Sequence, residues 1–267
     1  MISLPKGGGA IRGRGEKFAA NPVIGTGSLS VPIYTSPGRS GFGPQLSLSY
    51  DSGAGNGAFG FGWSLSLPSI ARKTDKGLPK YQDADESDIF ILSGAEDLVP
   101  VPDEDQPKEP RTVGEVKYRV RRYRPRTEGL FARIERWTNE NDPTDVLWRS
   151  ISKDNITTWY GKARDSRIFD PSDPGRVFSW LICESYDDKG NAIRYEYKAE
   201  NTEWVDRALV QERNRTDTSR EANRYLKRIK YGNRTPRRPN EDLSQRGDWM
   251  FEAVFDYGEH YTENDQG

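Results

Sequence analysis

Three short runs between residues 27 and 67 alternate strictly between apolar and small polar side chains. Their apolar members are Leu29, Val31 and Ile33, then Leu46, Leu48 and Tyr50, then Trp63, Leu65 and Leu67. The alternate positions hold serines, namely Ser28, Ser30, Ser47, Ser49, Ser64 and Ser66, except for Pro32. Because successive side chains of a strand point to opposite faces, the runs predict three half-buried β-strands. A serine-lined face suits an enclosed, wet space or a second sheet better than bulk solvent.

Short apolar runs separated by turn signals continue through the second half of the chain. The predicted strands cover residues 131–137, 147–151, 156–160, 177–184, 192–197, 225–231 and 249–257. The turn signals between them are Asn141-Asp142-Pro143, Asp173-Pro174-Gly175, Lys189-Gly190-Asn191 and Gly232-Asn233. This spacing indicates hairpins and meanders, so the predicted fold class is all-β, with extended antiparallel strands and little helix. Helical spacing of apolar residues occurs only at 201–214, and residues 235–247 form a predicted loop.

The charge of the chain reverses sign near residue 110. Residues 83–109 contain ten acids and one base, Lys108, whereas residues 111–126 contain seven bases and one acid, Glu115. The acidic zone also holds two predicted strands, 89–92 and 98–101, around the turn Ser93-Gly94. The seven bases are Arg111, Lys117, Arg119, Arg121, Arg122, Arg124 and Arg126. We divide the chain into an extended, glycine-rich lead-in (1–26) and a β-rich domain (27–267), with the acidic and basic insertion zone at about 75–126.

The basic strip, residues 111–126, has two interpretations. With Tyr118 and Tyr123 interleaved among its bases, it could bind a nucleic-acid strand by charge and by aromatic stacking. The simpler interpretation is a strand whose bases pair with the acidic zone beside it. We prefer the simpler one because the two blocks largely cancel and the net charge of the whole chain is −1.

Composition excludes several classes of structure and site. The 267 residues are 33% hydrophobic and 30% charged, but 7 Trp, 13 Tyr and 10 Phe recur along the whole length and argue against disorder. The single cysteine, Cys183, excludes an internal disulfide, and the apolar run around it predicts a buried thiol. The single histidine, His260, has no second imidazole with which to bind a metal. No stretch approaches the ~20 apolar residues of a membrane-spanning helix, and the first 21 residues contain no signal-peptide core.

The loop after the second alternating run contains a literal G-x-G-x-x-G at Gly55, Gly57 and Gly60. A dinucleotide site requires a helix N-terminus directly after the glycines, but a strand-like run from Trp63 follows here. The glycines are better explained by tight reversal of the chain between strands. No G-x-S-x-G elbow occurs, and carboxylate pairs such as Asp187-Asp188 lie in predicted turns. We therefore predict no catalytic, cofactor-binding or metal-binding residues.

Two segments, about 177–197 and 224–234, resemble YD (Rhs-type) repeat units, because each combines a turn rich in Gly and Asn with a tyrosine-bearing strand. Longer motifs closely resemble the N-terminal region of the SpvB family (Salmonella virulence plasmid 65 kDa B protein), and even more the B component of insecticidal Tc toxin complexes. These motifs are LPKGGGAIRG at 4–13, GEKFAANP at 15–22, TSPGRSGFGPQLSLSYDSGAGNGAFGFGWSLSLPSIARKT at 35–74, YRPRTEGLFARIERW at 123–137 and YLKRIKYGNRTP at 225–236.

The resemblance implies that the chain supplies the first β-strands of a hollow Rhs-type shell. In Tc toxins the B and C components together form this shell around a toxic payload, and a β-propeller of B docks onto the pore-forming A component. The implied partners are therefore the remainder of a B component, a C component and, indirectly, an A component. The resemblance also implies secretion by a non-Sec route after synthesis in the bacterial cytoplasm.

We expect a non-catalytic structural segment, present as a fragment or truncated form of a longer protein. The alternative is an independent binding module for nucleic acid or an acidic glycan that uses the basic strip. In the SpvB family, ADP-ribosyltransferase activity lies in a separate C-terminal domain, whose arginine, serine-threonine-serine and E-x-E elements have no counterpart here. We therefore expect no transfer of ADP-ribose from NAD to actin by this chain alone.

Overall fold

Strands and turns make up almost all of the computed structural model, which describes residues 17–21, 25–93, 96–127, 132–202 and 205–257. The all-β prediction is confirmed. The chain divides into two compact units, one of Met1–Thr35 with Gln45–Ser66 and one of Ser36–Pro44 with Leu67–Gly267. Parts of several predictions lie outside the described residues: most of the lead-in, Gly94 of the predicted turn, the start of the predicted strand 131–137, residues 203–204 of the predicted helix, and His260.

The described part of the smaller unit contains six strands. They are β1 (Lys17–Asn21), β2 (Thr26–Ile33), β3 (Leu46–Asp51), β4 (Asn56–Gly57), β5 (Gly60–Phe61) and β6 (Trp63–Leu65). The antiparallel sheet has the order β1-β2-β3-β6, and β4 pairs with β5. The three alternating runs are thus the predicted strands. Lys17–Asn21 is not an extended lead-in but an edge strand, because its backbone pairs with β2 from Ser30 to Thr26.

The sheet of the smaller unit is thinly covered. Every residue of β2 is only half-buried, whereas Leu46 at the start of β3 is buried. Serine hydroxyls bond to one another and to the backbone: the Oγ atoms of Ser49 and Ser66 lie 3.0 Å apart, and Ser64 Oγ donates to the Ser49 carbonyl at 3.4 Å. The polar face therefore satisfies part of its own hydrogen-bonding capacity.

The larger unit contains thirteen strands among the described residues. They are β7 (Ser69–Arg72), β8 (Phe90–Leu92), β9 (Glu96–Pro100), β10 (Arg111–Val113), β11 (Val116–Pro125), β12 (Arg133–Asn139), β13 (Val146–Ile151), β14 (Thr157–Tyr160), β15 (Arg167–Asp170), β16 (Asp173–Tyr186), β17 (Ala192–Ala199), β18 (Arg224–Asn233) and β19 (Trp249–Val254). One α-helix, α1 (Asp217–Arg220), accompanies them. Single 3₁₀ turns lie at Arg39–Gly41, Asp83–Asp85, Asp103–Asp105, Arg164–Ser166 and Leu243–Gln245.

Eight of these strands close into a ring. Their order is β14-β13-β12-β11-β9-β8-β7-β16, and β16 pairs back with β14, with Thr157 opposite Tyr186. Strands β17, β18 and β19 continue from β16, while β10 and β15 pair with β11 and β16. The 14 residues of β16 make this possible, because different parts of the strand pair with different neighbours.

Aromatic side chains fill the interior of the ring. Phe90 lies 4.9 Å from Trp148 and 5.8 Å from Trp180, between ring centroids, and Tyr123 lies 5.0 Å from Trp148. Phe90, Trp148 and Trp180 come from strands that are not neighbours in the ring, so they can meet only across its inside. A second core lies on the outer face, where six buried residues pack together: Tyr118, Val120, Trp137, Leu147, Trp159 and Cys183.

The predicted helix at 201–214 is wrong for the described residues. Residues 207–214 form successive turns, in which the N–H groups of Leu209 and Glu212 donate to carbonyls three residues earlier in the chain. The apolar residues that suggested a helix are not gathered into a core, since Ala208 and Leu209 are both exposed. Without burial of an apolar face, a short helix has little to stabilise it.

The predicted turn at Asp173-Pro174-Gly175 is also wrong, because these residues begin β16. The reversal lies two residues earlier, at Pro171-Ser172, since Asp170 pairs directly with Asp173. The Asp170 carboxylate accepts hydrogen bonds from the Ser172 N–H and hydroxyl at 2.9 and 2.6 Å. An Asp that bonds two residues ahead in this way mimics a backbone turn.

Candidate functional site

The basic strip is divided between two faces of the sheet. In the pairing of β11 with β12, Arg121 lies directly opposite Arg136 and Arg122 lies directly opposite Glu135. Alternation therefore places Arg119 and Arg121 on the interior face of the ring and Arg122 on the outer face. The strip does not form one continuous basic surface.

Part of the strip pairs with the acidic zone, as predicted. Arg121 Nη1 lies 2.7 Å from Glu86 Oε1, and Arg126 Nη1 lies 3.9 Å from Asp97 Oδ2. Arg111 instead reaches Glu135 of β12, at 3.5 Å. These ion pairs account for much of the apparent excess of positive charge.

Glu135 is a fully buried carboxylate on the outer face of β12. Its Oε2 accepts hydrogen bonds from Arg149 Nη2 at 2.6 Å and from Trp137 Nε1 at 3.1 Å. Its Oε1 lies 3.3 Å from Arg133 Nε and 3.5 Å from Arg111 Nη1. The sequence did not predict this cluster, although the alternation I-E-R-W at residues 134–137 already places Glu135 and Trp137 on one face. Because guanidinium groups surround the carboxylate, we interpret the cluster as structural.

Arg72 makes a second buried ionic cluster, at one end of the ring interior. Its Nη1 lies 2.6 Å from Asp83 Oδ1 and 2.7 Å from Asp88 Oδ2, and its Nε donates to the Val177 carbonyl at 2.7 Å. Three aromatic rings lie 4.8 to 5.4 Å from its guanidinium carbon, those of Tyr81, Phe90 and Trp180. The charge is fully paired, which indicates that Arg72 fixes the 83–88 segment onto the ring.

The glycines of the G-x-G-x-x-G motif have conformational roles. The strand β6 follows them, as predicted, so no helix N-terminus faces the loop. Gly60 has φ +98°, a region that favours glycine, and a Cβ on Gly57 would lie 2.8 Å from the Trp63 carbonyl oxygen. The loop is a tight reversal with close backbone approach.

The turn of the first YD-like unit is organised by Asp187. Its carboxylate accepts hydrogen bonds from the N–H groups of Lys189 and Asn191, at 3.0 and 2.8 Å, and from the Asn191 side chain at 2.7 Å. Gly190 has φ +79° in this turn. The predicted hairpin is confirmed, with β16 and β17 paired on either side.

The second YD-like unit is attached to the first through Asn233, which is fully buried. Its Oδ1 accepts the Ala192 N–H at 2.8 Å, and its Nδ2 donates to the carbonyls of Gly190 and Thr235 at 2.8 and 2.7 Å. The asparagine of the later unit thus holds the turn of the earlier one.

Cys183 is buried, as predicted, and burial raises the pKa of its thiol to about 11. Its Sγ donates to the Trp159 carbonyl at 3.3 Å, so the neutral thiol is the favoured form. Within the described ranges, no three His, Cys, Asp or Glu side chains are grouped closely enough to hold a metal ion. No helix of that part of the chain is long and apolar enough to cross a membrane.

Comparison with known sequences gives a family match over most of the chain. The family model described as Salmonella virulence plasmid 65kDa B protein (SpvB) matches residues 21–267. The mono(ADP-ribosyl)transferase SpvB of Salmonella choleraesuis is 38% identical over 270 residues, and that of Salmonella typhimurium is 38% identical over 269. Each alignment covers 96% of this chain but only 42% of the relative, so the chain spans less than half the length of these proteins.

Solved structures share the fold. The N-terminal domain of effector protein SpvB from Salmonella typhimurium aligns with a TM-score of 0.73 and 34% identity, over 85% of this chain and 72% of that one. The crystal structure of TcdB2-TccC3 aligns with a TM-score of 0.78 and 33% identity, over 96% of this chain and 12% of that one. The Photorhabdus luminescens Tc holotoxin pore aligns with a TM-score of 0.79 and 35% identity, over 97% and 12%.

Proposed function

This chain belongs to the SpvB family, and from that premise we propose that it is a non-catalytic structural segment of a toxin B component or SpvB-like virulence protein. In this proposal its strands form part of the wall of a hollow Rhs-type shell that encloses a toxic payload. The Tc neighbours support it, because almost the whole of this chain corresponds to about an eighth of a much longer chain.

The observation that carries the proposal is the presence of open sheet edges. Within the described residues, β1 has only β2 as a neighbour, and β19 has only β18. Apolar side chains stand exposed on both edge strands: Phe18 is 75% exposed, and Val254 is 53% exposed. Unpaired, apolar strand edges accept further strands and otherwise lead to association. They are the natural points for continuation of a wall.

The partners of the proposed wall follow from the relatives. They would be the remainder of a B component and a C component, with a pore-forming A component engaged indirectly. The family relationship to toxins and virulence effectors supports a secreted protein, and we propose export by a route other than Sec.

The proposed role is non-catalytic even though the curated relatives are named mono(ADP-ribosyl)transferases. The chain corresponds to 42% of their length, and one of its structural neighbours is the N-terminal domain of SpvB. Its buried ionisable clusters, around Glu135 and Arg72, are paired internally. We assign the transferase activity of the relatives to the part of them that this chain does not match.

We predict that the chain, produced alone, self-associates through its open edges, and that the remaining shell components convert it to a soluble complex. Lysine at an edge opposes strand addition by its charge, so Val254→Lys and Phe18→Lys should each lower the associated fraction. Size-exclusion chromatography with light scattering measures that fraction directly.

Leu78→Lys provides the control, because Leu78 is 91% exposed but lies in a loop outside any strand. It makes the same chemical change without altering an edge, so association should continue as in the parent chain. A parent chain that stays a monodisperse monomer at the same concentration would contradict the proposed wall segment.

The alternative function, binding of nucleic acid or an acidic glycan by the basic strip, makes a separate prediction. It requires salt-dependent binding that is lost when Arg119, Arg121, Arg122 and Arg124 are changed to glutamine. Because the strip is split between two faces, we expect a polyanion such as heparin to bind weakly and the fourfold variant to change little. Filter binding at low and moderate salt distinguishes the two results.

A further inference from the structure

Arg136 is a buried base that forms no ion pair with any acid of the described residues. The residue is 8% exposed, and its Nε and Nη1 atoms have no hydrogen-bond partner among the described residues. It contacts the faces of two rings, with its guanidinium carbon 5.7 Å from the centre of Phe90 and 5.8 Å from that of Tyr123. Those rings orient the guanidinium group but cannot accept hydrogen bonds in its plane. An unpaired buried charge is costly, so an anion beside it would stabilise the site.

The sheet gathers further positive charge beside Arg136. Arg121 lies directly opposite it on β11, on the same face. Arg119, two residues along β11 and directly opposite Thr138, shares that face as well. Like charges directly opposite one another destabilise an antiparallel pair. Glu86 offsets this repulsion on the Arg121 side, and an anion between Arg119 and Arg136 would offset the rest.

These side chains line one cavity of about 330 Å³. Its lining includes Arg119, Arg121 and Arg136 from the sheet, together with Thr138 and Asn139 of β12. Because Asn139 ends β12 and Glu140 follows it, the cavity lies at an end of the ring. The volume is at the lower limit for sites of small molecules.

Two acids, Asp83 and Glu140, also line the cavity, but neither forms an ion pair with Arg136 among the described residues. Both carboxylate oxygens of Asp83 are bound to Arg72, at 2.6 and 2.9 Å. Glu86 pairs with Arg121 and accepts a hydrogen bond from the Tyr123 hydroxyl. The guanidinium group of Arg136 therefore has no ion pair among the described residues.

We propose that this cavity is a binding site for a small oxyanion, a phosphate or carboxylate group, with Arg136 as its principal ligand and Arg119 at its entrance. Planar guanidinium groups match both kinds of oxyanion in geometry and charge. The site is independent of the proposed wall: it requires only the ring of the larger unit, not the open edges.

The test is equilibrium dialysis of the whole chain against radiolabelled orthophosphate, at constant ionic strength. This measurement counts bound phosphate per chain whether or not the chain associates. We expect one phosphate per chain, and Arg136→Gln should weaken binding at least about tenfold, since charge-assisted hydrogen bonds are lost. Arg119→Gln should weaken it about two- to fivefold, because this residue is exposed and screened.

Arg126→Gln is the matched control. It removes the same charge from the same basic strip, at a residue outside the cavity, and should change binding less than about twofold. Circular dichroism establishes that each variant is folded. If Arg136→Gln does not fold, Arg119→Gln, at an exposed position, tests the site in its place. Competition between acetate and phosphate distinguishes a site that accepts carboxylates from one that prefers phosphate. Absence of saturable binding, or equal loss in Arg126→Gln and Arg119→Gln, would overturn the proposal.

Discussion

Replacing Trp148 with alanine is expected to lower the free energy of unfolding by about 3–5 kcal/mol. Trp148 is fully buried, and its ring packs 4.9 Å from Phe90, 5.0 Å from Tyr123 and 6.0 Å from Trp180. Because these partners lie on strands that the closed ring holds in place, their side chains cannot move in to fill the cavity that the indole leaves. Urea unfolding followed by far-UV circular dichroism, at submicromolar protein, measures the loss.

Two further variants make this prediction specific. Trp148→Phe should recover much of the loss, because it keeps an aromatic ring and removes an indole N–H that has no partner among the described residues. Trp249→Ala deletes the same side chain type from a half-buried position on β19, with one hydrogen bond to the Arg246 carbonyl, and should cost only about 1 kcal/mol. A loss below about 1 kcal/mol in Trp148→Ala would mean that the ring interior is not packed around this residue.

Local patterns were sufficient to predict most strands. The alternation of Leu29, Val31 and Ile33 with small polar residues predicts β2, and the Y-D-x-x-G-N turn predicts the hairpin of β16 and β17. Both signals depend on residues close together in the chain. The helix prediction at 201–214 failed for the opposite reason, because its apolar spacing had no distant surface on which to pack.

Closure of the ring could not be predicted from the sequence. It depends on the pairing of β14 with β16, whose residues Thr157 and Tyr186 are distant in the chain, and on a β16 long enough to serve several neighbours. Nothing in the local pattern of either strand specifies that partner.

The consequence for function is clearest at Glu135 and Arg136, which are adjacent in the chain. Glu135 lies on the outer face, among guanidinium groups that balance its charge, and Arg136 lies inside the ring with no ion pair to a described residue. In the sequence they look like an ordinary pair of opposite charges. In the closed ring the two side chains have different environments, and only this difference identifies Arg136 as a base without an ion pair among the described residues.

Replacing Arg72 with methionine is expected to destabilise the protein by about 3–5 kcal/mol at pH 7, because it leaves a buried carboxylate without its cation. The Arg72 side chain is 1% exposed, that of Asp88 is 5% exposed, and the Val177 carbonyl also loses its donor. Methionine retains much of the volume against Phe90 and Trp180, so the lost ion pair dominates the effect. The neighbouring variant Lys73→Met is the control, since it removes a more exposed ion pair with Asp97 and should have a much smaller effect.

The pH dependence of this cluster separates its electrostatic role from packing. Burial opposes ionisation of Asp88, but the N–H groups of Lys80 and Tyr81 and the Arg72 guanidinium outweigh it and hold the pKa of Asp88 below its usual value. A carboxyl whose folded pKa lies below the unfolded value of about 3.9 stabilises the protein fully above that pH, and this contribution is lost as the pH falls through the folded pKa. Unfolding measured from pH 6 down to pH 3 should therefore show a steeper loss in the parent chain than in Arg72→Met. Equal slopes in the two proteins would mean that Arg72 acts only by filling space between Tyr81, Phe90 and Trp180.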